Sequence, residues 1–161
     1  MDNIDLDNID NAENIENIEI EEEIKENKKY LEINPGQLEN SKKLAETISI
    51  ILDDKKARSV KLIETNRQTI IADYFVVATG TSSTHIKALA GEVEFQIKEK
   101  YDNTAPSRIS GLDSKDWIIM DYDSVLVHIF NSEAREYYKL EKLWGDGKNI
   151  NVEELLKLDK N

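Results

Sequence analysis

The chain has 161 residues, a formal net charge of −12 and no cysteine. This length can bury the core of one domain, and the absence of cysteine excludes a disulfide framework and a thiolate metal site. No apolar run approaches the roughly 18 residues of a membrane span, and the acidic N-terminus is unlike a secretory signal or a transit peptide. We therefore expect a cytoplasmic protein without a membrane anchor.

The charge is concentrated at one end of the chain. Residues 1–40 contain 13 acidic residues and 3 lysines, which leaves 20 acidic and 18 basic residues in 41–161. Neither part has the lysine and arginine excess that binding to nucleic-acid phosphate requires. We therefore expect no direct sequence-specific binding of nucleic acid.

Residues 1–36 form an acidic, low-complexity extension in which Asn-Ile-Asp or Asn-Ile-Glu recurs four times. Its isolated isoleucines can bury little surface, whereas ordering costs about 1–2 kcal/mol per residue. We predict disorder with a transient helix near Ile15–Ile24. The alternative is an acidic tail that binds a basic partner.

Residues 37–146 carry the patterns of a folded domain. Apolar periodicity, turn residues and capping residues predict a helix, two strands, a helix, two strands and a helix. The first helix covers about 37–57, and the four strands cover about 59–65, 70–79, 117–120 and 125–130. The second helix is capped by Ser82 or Ser83 and includes Ile86 to Ile97. The third helix is capped by Ser132 and ends near 143. This order predicts an α/β domain with a small mixed sheet covered by helices. Residues 147–161 form a tail with a short helix, which Asn151 and Glu154 can cap.

Asp121 and Asp123 raise the hypothesis of a metal site. Two carboxylates at a strand end can hold Mg²⁺, and nucleotidyltransferases combine such a pair with a glycine-serine loop, here Gly80 and the serines after it. However, 41 residues separate Gly80 from Asp121, and no third carboxylate is evident. Two turn-forming aspartates are the favoured interpretation, and a metal-dependent nucleotidyltransferase-like enzyme is the alternative.

The histidines and aromatic residues favour structure and binding over catalysis. His128 shares a face of its strand with apolar residues, and the sequence around Ser83 and His85 lacks the elbow of a catalytic serine. Six aromatic residues lie in the 28 residues from Trp117 to Trp144, both tryptophans included, and such clusters are enriched both in cores and at protein interfaces.

Three segments together resemble the ribosomal silencing factor S family, also called the Iojap family. They are "ADYFVVATGTSSTHIKALA", "DWIIMDYDSVLVHIF" and "AREYYKLEKLW", and the resemblance extends over about residues 40–145. It implies an α/β fold distantly similar to nucleotidyltransferases, with no catalytic activity and no cofactor. Two positions depart from the family pattern: Thr84 replaces an arginine, and Asp123-Ser124 replaces Gly-Asp.

The resemblance also implies a function. It implies a factor that binds large-subunit ribosomal protein L14, blocks association of the ribosomal subunits and represses translation under nutrient limitation, with a homodimer when free. We expect Trp117, Asp121, Tyr122 and His128 to bind the partner because they share one hairpin. Ser83 and His85 also match the family and are included as candidates for this contact.

Overall fold

The computed structural model describes Ile15 and residues 17–19, 35–144, 149–150 and 152–159. The chain forms two compact units, Met1–Ile33 and Asn34–Asn161. In the first unit, Ile15 and residues 17–19 are helical, within the range where a transient helix was predicted. The rest of that helix and the predicted disorder lie outside the described residues.

The described part of the second unit contains six strands and five helices around one sheet. The strands are β1 Arg58–Glu64, β2 Tyr74–Thr79, β3 Arg108–Ser110, β4 Trp117–Asp121, β5 Val125–Phe130 and β6 Asn149–Ile150. The helices are α1 Pro35–Asp54, α2 Ser83–Lys100, α3 Ser132–Tyr138, α4 Leu140–Leu143 and α5 Val152–Asp159. The predicted α/β class is confirmed.

The sheet is mixed, as predicted. Its strand order is β3-β4-β5-β2-β1-β6. The central pair, β2 and β5, is parallel, and the other neighbouring pairs are antiparallel. The run predicted as a two-sided buried strand is β2, whose six residues are all buried. The strand begins at Tyr74 and not at Ile70 as predicted. Ile70 and Ile71 come before it and are exposed.

One face of the sheet, here called the helix-covered face, lies under α1 and α2. Its members Val76, Ile118 and Ile129 are fully buried against apolar residues of these helices, such as Ile48 and Val93. The three- and four-residue spacing of the helical apolar positions is what turns one side of each helix toward the sheet. This face therefore holds the main core.

The connection from β2 to α2 is tight, and its glycine has a steric role. Ser82 caps α2, with its hydroxyl accepting from the backbone N–H of His85, as predicted for Ser82 or Ser83. A Cβ at Gly80 would come within 2.6 Å of the Ile86 side chain. Gly80 therefore allows the strand end to approach the helix closely.

The other face, here called the aromatic face, carries Phe75, Trp117, His128 and Phe130. The helices α3 and α4 and the side chain of Trp144 cover only part of it. The predicted single helix from Ser132 to Leu143 is wrong, because Lys139 has a positive φ of 48° and separates α3 from α4. Its predicted cap is also wrong, since the side chain of Asn131 accepts from the N–H of Ala134.

Two short strands were not predicted. The strand β3 lies in a segment predicted as loop and pairs with β4 at one edge of the sheet. The strand β6 pairs with β1 at the other edge, and α5 follows it. The terminal helix was predicted, but Val152 at its start is buried in the main core. Residues 149–150 and Val152 thus contribute to the folded unit.

Candidate protein-binding face

The uncovered part of the aromatic face lies on the hairpin of β4 and β5. In the pairing of the two strands, Ile119 lies opposite His128 and Asp121 lies opposite Leu126. Trp117 lies opposite Phe130, at the end of the hairpin where Tyr138 of α3 contacts it. Here the name open face denotes Trp117, Ile119, Asp121 and Leu126, all partly exposed, together with the buried His128. The predicted hairpin is confirmed.

Trp117 forms the aromatic end of the open face. Its ring stacks on Phe130 at a centroid distance of 4.7 Å and an interplanar angle of 27°. The ring of Tyr138 from α3 lies 4.9 Å away. These contacts fix the indole while part of it stays exposed, which is the arrangement of a rigid aromatic anchor at a protein interface.

A hydrogen bond to the buried His128 side chain holds the indole of Trp117 in place. The indole Nε1–H of Trp117 donates to His128 Nδ1 over 3.2 Å, so the neutral ring carries its proton on Nε2. His128 is only 3% exposed, and burial lowers its pKa from 6.5 to about 4. The buried Nε2 has no hydrogen-bond partner among the described residues. A histidine held neutral in this way orients the indole and adds no charge to the face.

Asp121 and Asp123 belong to the turn between β4 and β5. Asp121 Oδ1 accepts from the backbone N–H of Asp123 over 2.8 Å, and Asp123 has a φ of 64°. Asp123 Oδ1 accepts from the hydroxyl of Ser107 over 3.2 Å. Within the described residues, no group of three or more histidine, cysteine or acidic side chains could hold a metal ion. The geometry is that of turn-forming aspartates.

Tyr122 lies on the opposite side of the sheet from Trp117. It is 6% exposed and packs in the main core with the residues of the helix-covered face. Burial raises the pKa of its phenol, and its hydroxyl has no hydrogen-bond partner among the described residues. The structure therefore does not bring Tyr122 together with the open face, because neighbouring residues of an extended chain point to opposite sides.

Ser83 and His85 lie in the first turn of α2. The Nδ1 of His85 accepts from the N–H of Thr81 over 2.9 Å, and its Nε2 donates to the carbonyl of Lys55 over 2.9 Å. His85 thereby ties the start of α2 to the segment after α1. Within the part of the chain that the structure describes, no hydrogen bond or ring contact joins it to the open face.

Sequence reasoning missed two residues of the open face and assigned no role to two exposed apolar residues of the short helices. Ile119 lies between Trp117 and Asp121 on β4, Leu126 lies opposite Asp121 on β5, and both are partly exposed. Two-residue alternation along β4 would have indicated Ile119. Tyr137 and Leu143, on α3 and α4, are among the most exposed large apolar residues, at 80% and 73%. Apolar exposure of this kind favours contact with another macromolecule.

The fold and this face define a small α/β protein with a partly exposed aromatic face. The family model "Ribosomal silencing factor during starvation" matches residues 38–161, and the chain belongs to that family. It is 33% identical over 107 residues to the ribosomal silencing factor RsfS of Bacillus subtilis, covering 66% of this chain and 89% of that protein.

Further relatives extend this comparison. The crystal structure of a protein from Chromobacterium violaceum superposes with a TM-score of 0.60 at 31% identity, covering 71% of this chain and 90% of that one. The mouse protein named "Mitochondrial assembly of ribosomal large subunit protein 1" is 34% identical over 95 residues, covering 58% of this chain and 42% of its own. The family is thus one of ribosome-associated translation regulation. In the described part of the chain, no helix is sufficiently long and apolar to span a membrane.

Proposed function

We propose that the open face binds ribosomal protein L14 of the large subunit and that the bound chain blocks joining of the small subunit. Translation would fall when nutrients are limiting, without any chemical step. The family membership supports the ribosomal target, and the resemblance of the three quoted segments supports L14 as the partner. The observation that carries the choice of surface is the partly exposed, rigidly supported indole of Trp117.

The chemistry of the open face suits a protein partner. Apart from Asp121, its members are neutral, because His128 is held uncharged at physiological pH. Binding to RNA backbone would require several lysine or arginine contacts, which this face does not provide. A partner surface with an apolar patch for Trp117, Ile119 and Leu126, and a donor for Asp121, would be complementary to it.

Size is sufficient for the proposed block. A domain of about 120 residues has a radius of gyration of roughly 14 Å, so an object of this size at the subunit interface would hold the two faces apart. The partly exposed apolar residues also favour a homodimer of the free protein through the same face. Self-association would then compete with binding to the ribosome.

The experiment that tests this proposal has two arms. Purified protein is first mixed with separated large and small subunits, and sucrose-gradient sedimentation measures how many full ribosomes form. Purified L14 is then titrated with the protein by calorimetry. We expect fewer full ribosomes and a saturable complex with L14. Unchanged subunit joining would refute the blocking function, and absence of an L14 complex would refute the partner.

A further inference from the structure

A cleft beside the short helices α3 and α4 is lined by several cationic side chains. None of the lining residues that the structure describes belongs to the open face. The cleft lies where β1 and the end of β2 meet α3 and α4, and its volume is about 370 Å³. Its lining includes four cationic side chains and two carboxylates. The cations are Arg58, Arg135, Lys139 and Lys142, and the carboxylates are Glu136 and Glu141.

The two carboxylates offset only part of the four cations, which leaves the lining a formal charge of +2 (four minus two). Glu136 has no ion pair with a described residue, and it is the carboxylate that a bound anion would have to avoid. Glu141 already pairs with Arg135 and with Lys61, which lies outside the cleft lining, and these cations hold the pKa of Glu141 below its usual value despite its burial. The side chains of Arg58, Lys139 and Lys142 have no hydrogen bond or ion pair with any described residue. In a domain that is nearly neutral as a whole, this is a local concentration of unpaired cations.

Arg135 is held in a fixed orientation at the cleft. Its Nε donates to Glu141, and its Nη1 donates to the carbonyl of Ser59 over 2.7 Å and to the hydroxyl of Thr79 over 2.8 Å. Its Nη2 has no partner among the described residues. A guanidinium anchored in this way keeps donors for an anion without losing further side-chain entropy on binding.

The backbone is irregular on both sides of the cleft. Ser59 and Lys139 both line it, and both have positive φ values, 49° and 48°. The pairing of β1 with β2 also has a register shift between Arg58 and Lys61, that is, a bulge or irregularity. Bulges and left-handed residues of this kind are enriched at binding sites, where they redirect side chains and backbone groups.

We propose that this cleft binds a small phosphate-bearing anion, with Arg135 as the fixed donor and Arg58 and Lys142 as the enclosing cations. Planar guanidinium groups match phosphate oxygens in pairs, and the volume lies at the lower end of that of small-molecule sites. No aromatic side chain is among the described residues of its lining, so the site recognises phosphate without stacking on a base. We take a diphosphate group as the chemical class, because three cations, Arg58, Arg135 and Lys142, line one small volume and can offset several negative charges.

Titration of the full-length protein with pyrophosphate at constant ionic strength tests the proposal. Calorimetry should show saturable binding, and the backbone amide signals of Ser59, Thr79 and Lys139 should shift in ¹H–¹⁵N spectra. The double variant Arg58→Gln/Lys142→Gln should bind roughly tenfold more weakly, because two solvent-exposed ion pairs with the anion are lost. The matched control Arg67→Gln/Lys87→Gln removes the same charge from two exposed residues outside the cleft and should bind like the unmodified protein.

Three outcomes would overturn the proposal. Pyrophosphate could fail to saturate, or both double variants could weaken binding equally, which would indicate a general charge effect. A ten-nucleotide RNA homopolymer could also bind more tightly than pyrophosphate and with the same dependence on Arg58 and Lys142. That result would assign the cleft to RNA backbone instead of a small anion.

Discussion

Ile118 and Ile119 are neighbours on β4, yet they belong to the two different faces of the sheet. Ile118 is fully buried in the main core, whereas Ile119 is partly exposed on the open face. The helices α1 and α2 cover the first face, while α3 and α4 leave the β4 part of the second face uncovered. One strand thus contributes alternately to the core and to the partly exposed surface that we propose as the binding face.

Each face buries a polar side chain, Tyr122 or His128, that has one atom without a hydrogen-bond partner among the described residues, but only His128 also bonds to a neighbouring ring. Tyr122, beneath the helices, leaves a buried hydroxyl without a hydrogen bond among the described residues. On the aromatic face, His128 accepts from the indole of Trp117 and lies within 5.0 Å of the ring of Phe75. A polar atom therefore serves to orient an aromatic ring on the face that remains accessible.

The largest expected effect separates the two isoleucines. Ile118→Ala should lower the free energy of unfolding by about 2–5 kcal/mol, because it leaves a cavity in a packed core. Ile119→Ala should cost about 1 kcal/mol or less, since it buries less apolar surface, and should weaken binding to the large subunit. Urea unfolding and co-sedimentation measure the two effects. Equal losses of stability would show that the faces do not differ as described.

The second prediction concerns the pH dependence of stability and His128. Burial lowers its pKa to about 4 in the folded protein, from the 6.5 that is usual for a histidine side chain in water. Between these values the unfolded chain binds the proton more readily, so the free energy of unfolding should fall as the pH drops from about 6.5 toward 4. The full loss is about 3 kcal/mol, at about 1.4 kcal/mol per unit of pKa difference.

The variant His128→Phe provides the control for this pH dependence. It keeps an aromatic ring in place but has no group that titrates, so its stability should change less over the same pH range. Urea unfolding of both proteins at pH 7 and pH 4.5 measures the difference. The pH range from 7 to 4.5 lies mostly above the range in which Glu141 gains its proton, because the pKa of that carboxyl is lowered. Parallel curves for the two proteins would contradict the buried, neutral state of His128.

The third prediction compares two exposed aromatic residues. Trp117→Ala should weaken binding to the large subunit by about 2 kcal/mol or more, the size expected for a buried interface anchor. Phe95→Ala is the matched control, because Phe95 is 63% exposed on α2, outside the open face. Co-sedimentation at several protein concentrations measures both, and circular dichroism verifies the fold. If both variants bind equally well, the open face is not the binding surface.

The elements that sequence reasoning located correctly are those determined by local chemistry. The continuous apolar run of β2, the serine cap of α2 and the turn around Asp123 each follow from a few adjacent residues. The two-residue period of a strand also contained information that was not fully used. Applied to Asp121 and Tyr122, it would have put their side chains on opposite faces, and only Asp121 lies on the open face.

The remaining features depend on contacts between distant parts of the chain. The strand β6 has two residues and exists through pairing with β1, so no local pattern could indicate it. The break in the helix at Lys139 brings Glu141 to Arg135 and Lys61. The helical spacing of the residues continues across Lys139, so the sequence does not indicate this break. His85 likewise acquires its role from the carbonyl of Lys55, thirty residues earlier.

The smallest expected effect marks where the open face ends. Asp123→Gly should change the free energy of unfolding by less than about 0.5 kcal/mol, because relief of the positive φ offsets the greater entropy of an unfolded glycine. Large-subunit binding, measured by co-sedimentation, should stay unchanged, since Asp123 serves the turn. In contrast, Asp121→Ala should weaken that binding, because Asp121 lies opposite Leu126. A loss of binding in Asp123→Gly would extend the face to the turn, and Mg²⁺-dependent nucleotide binding abolished by this variant would instead favour the enzymatic alternative.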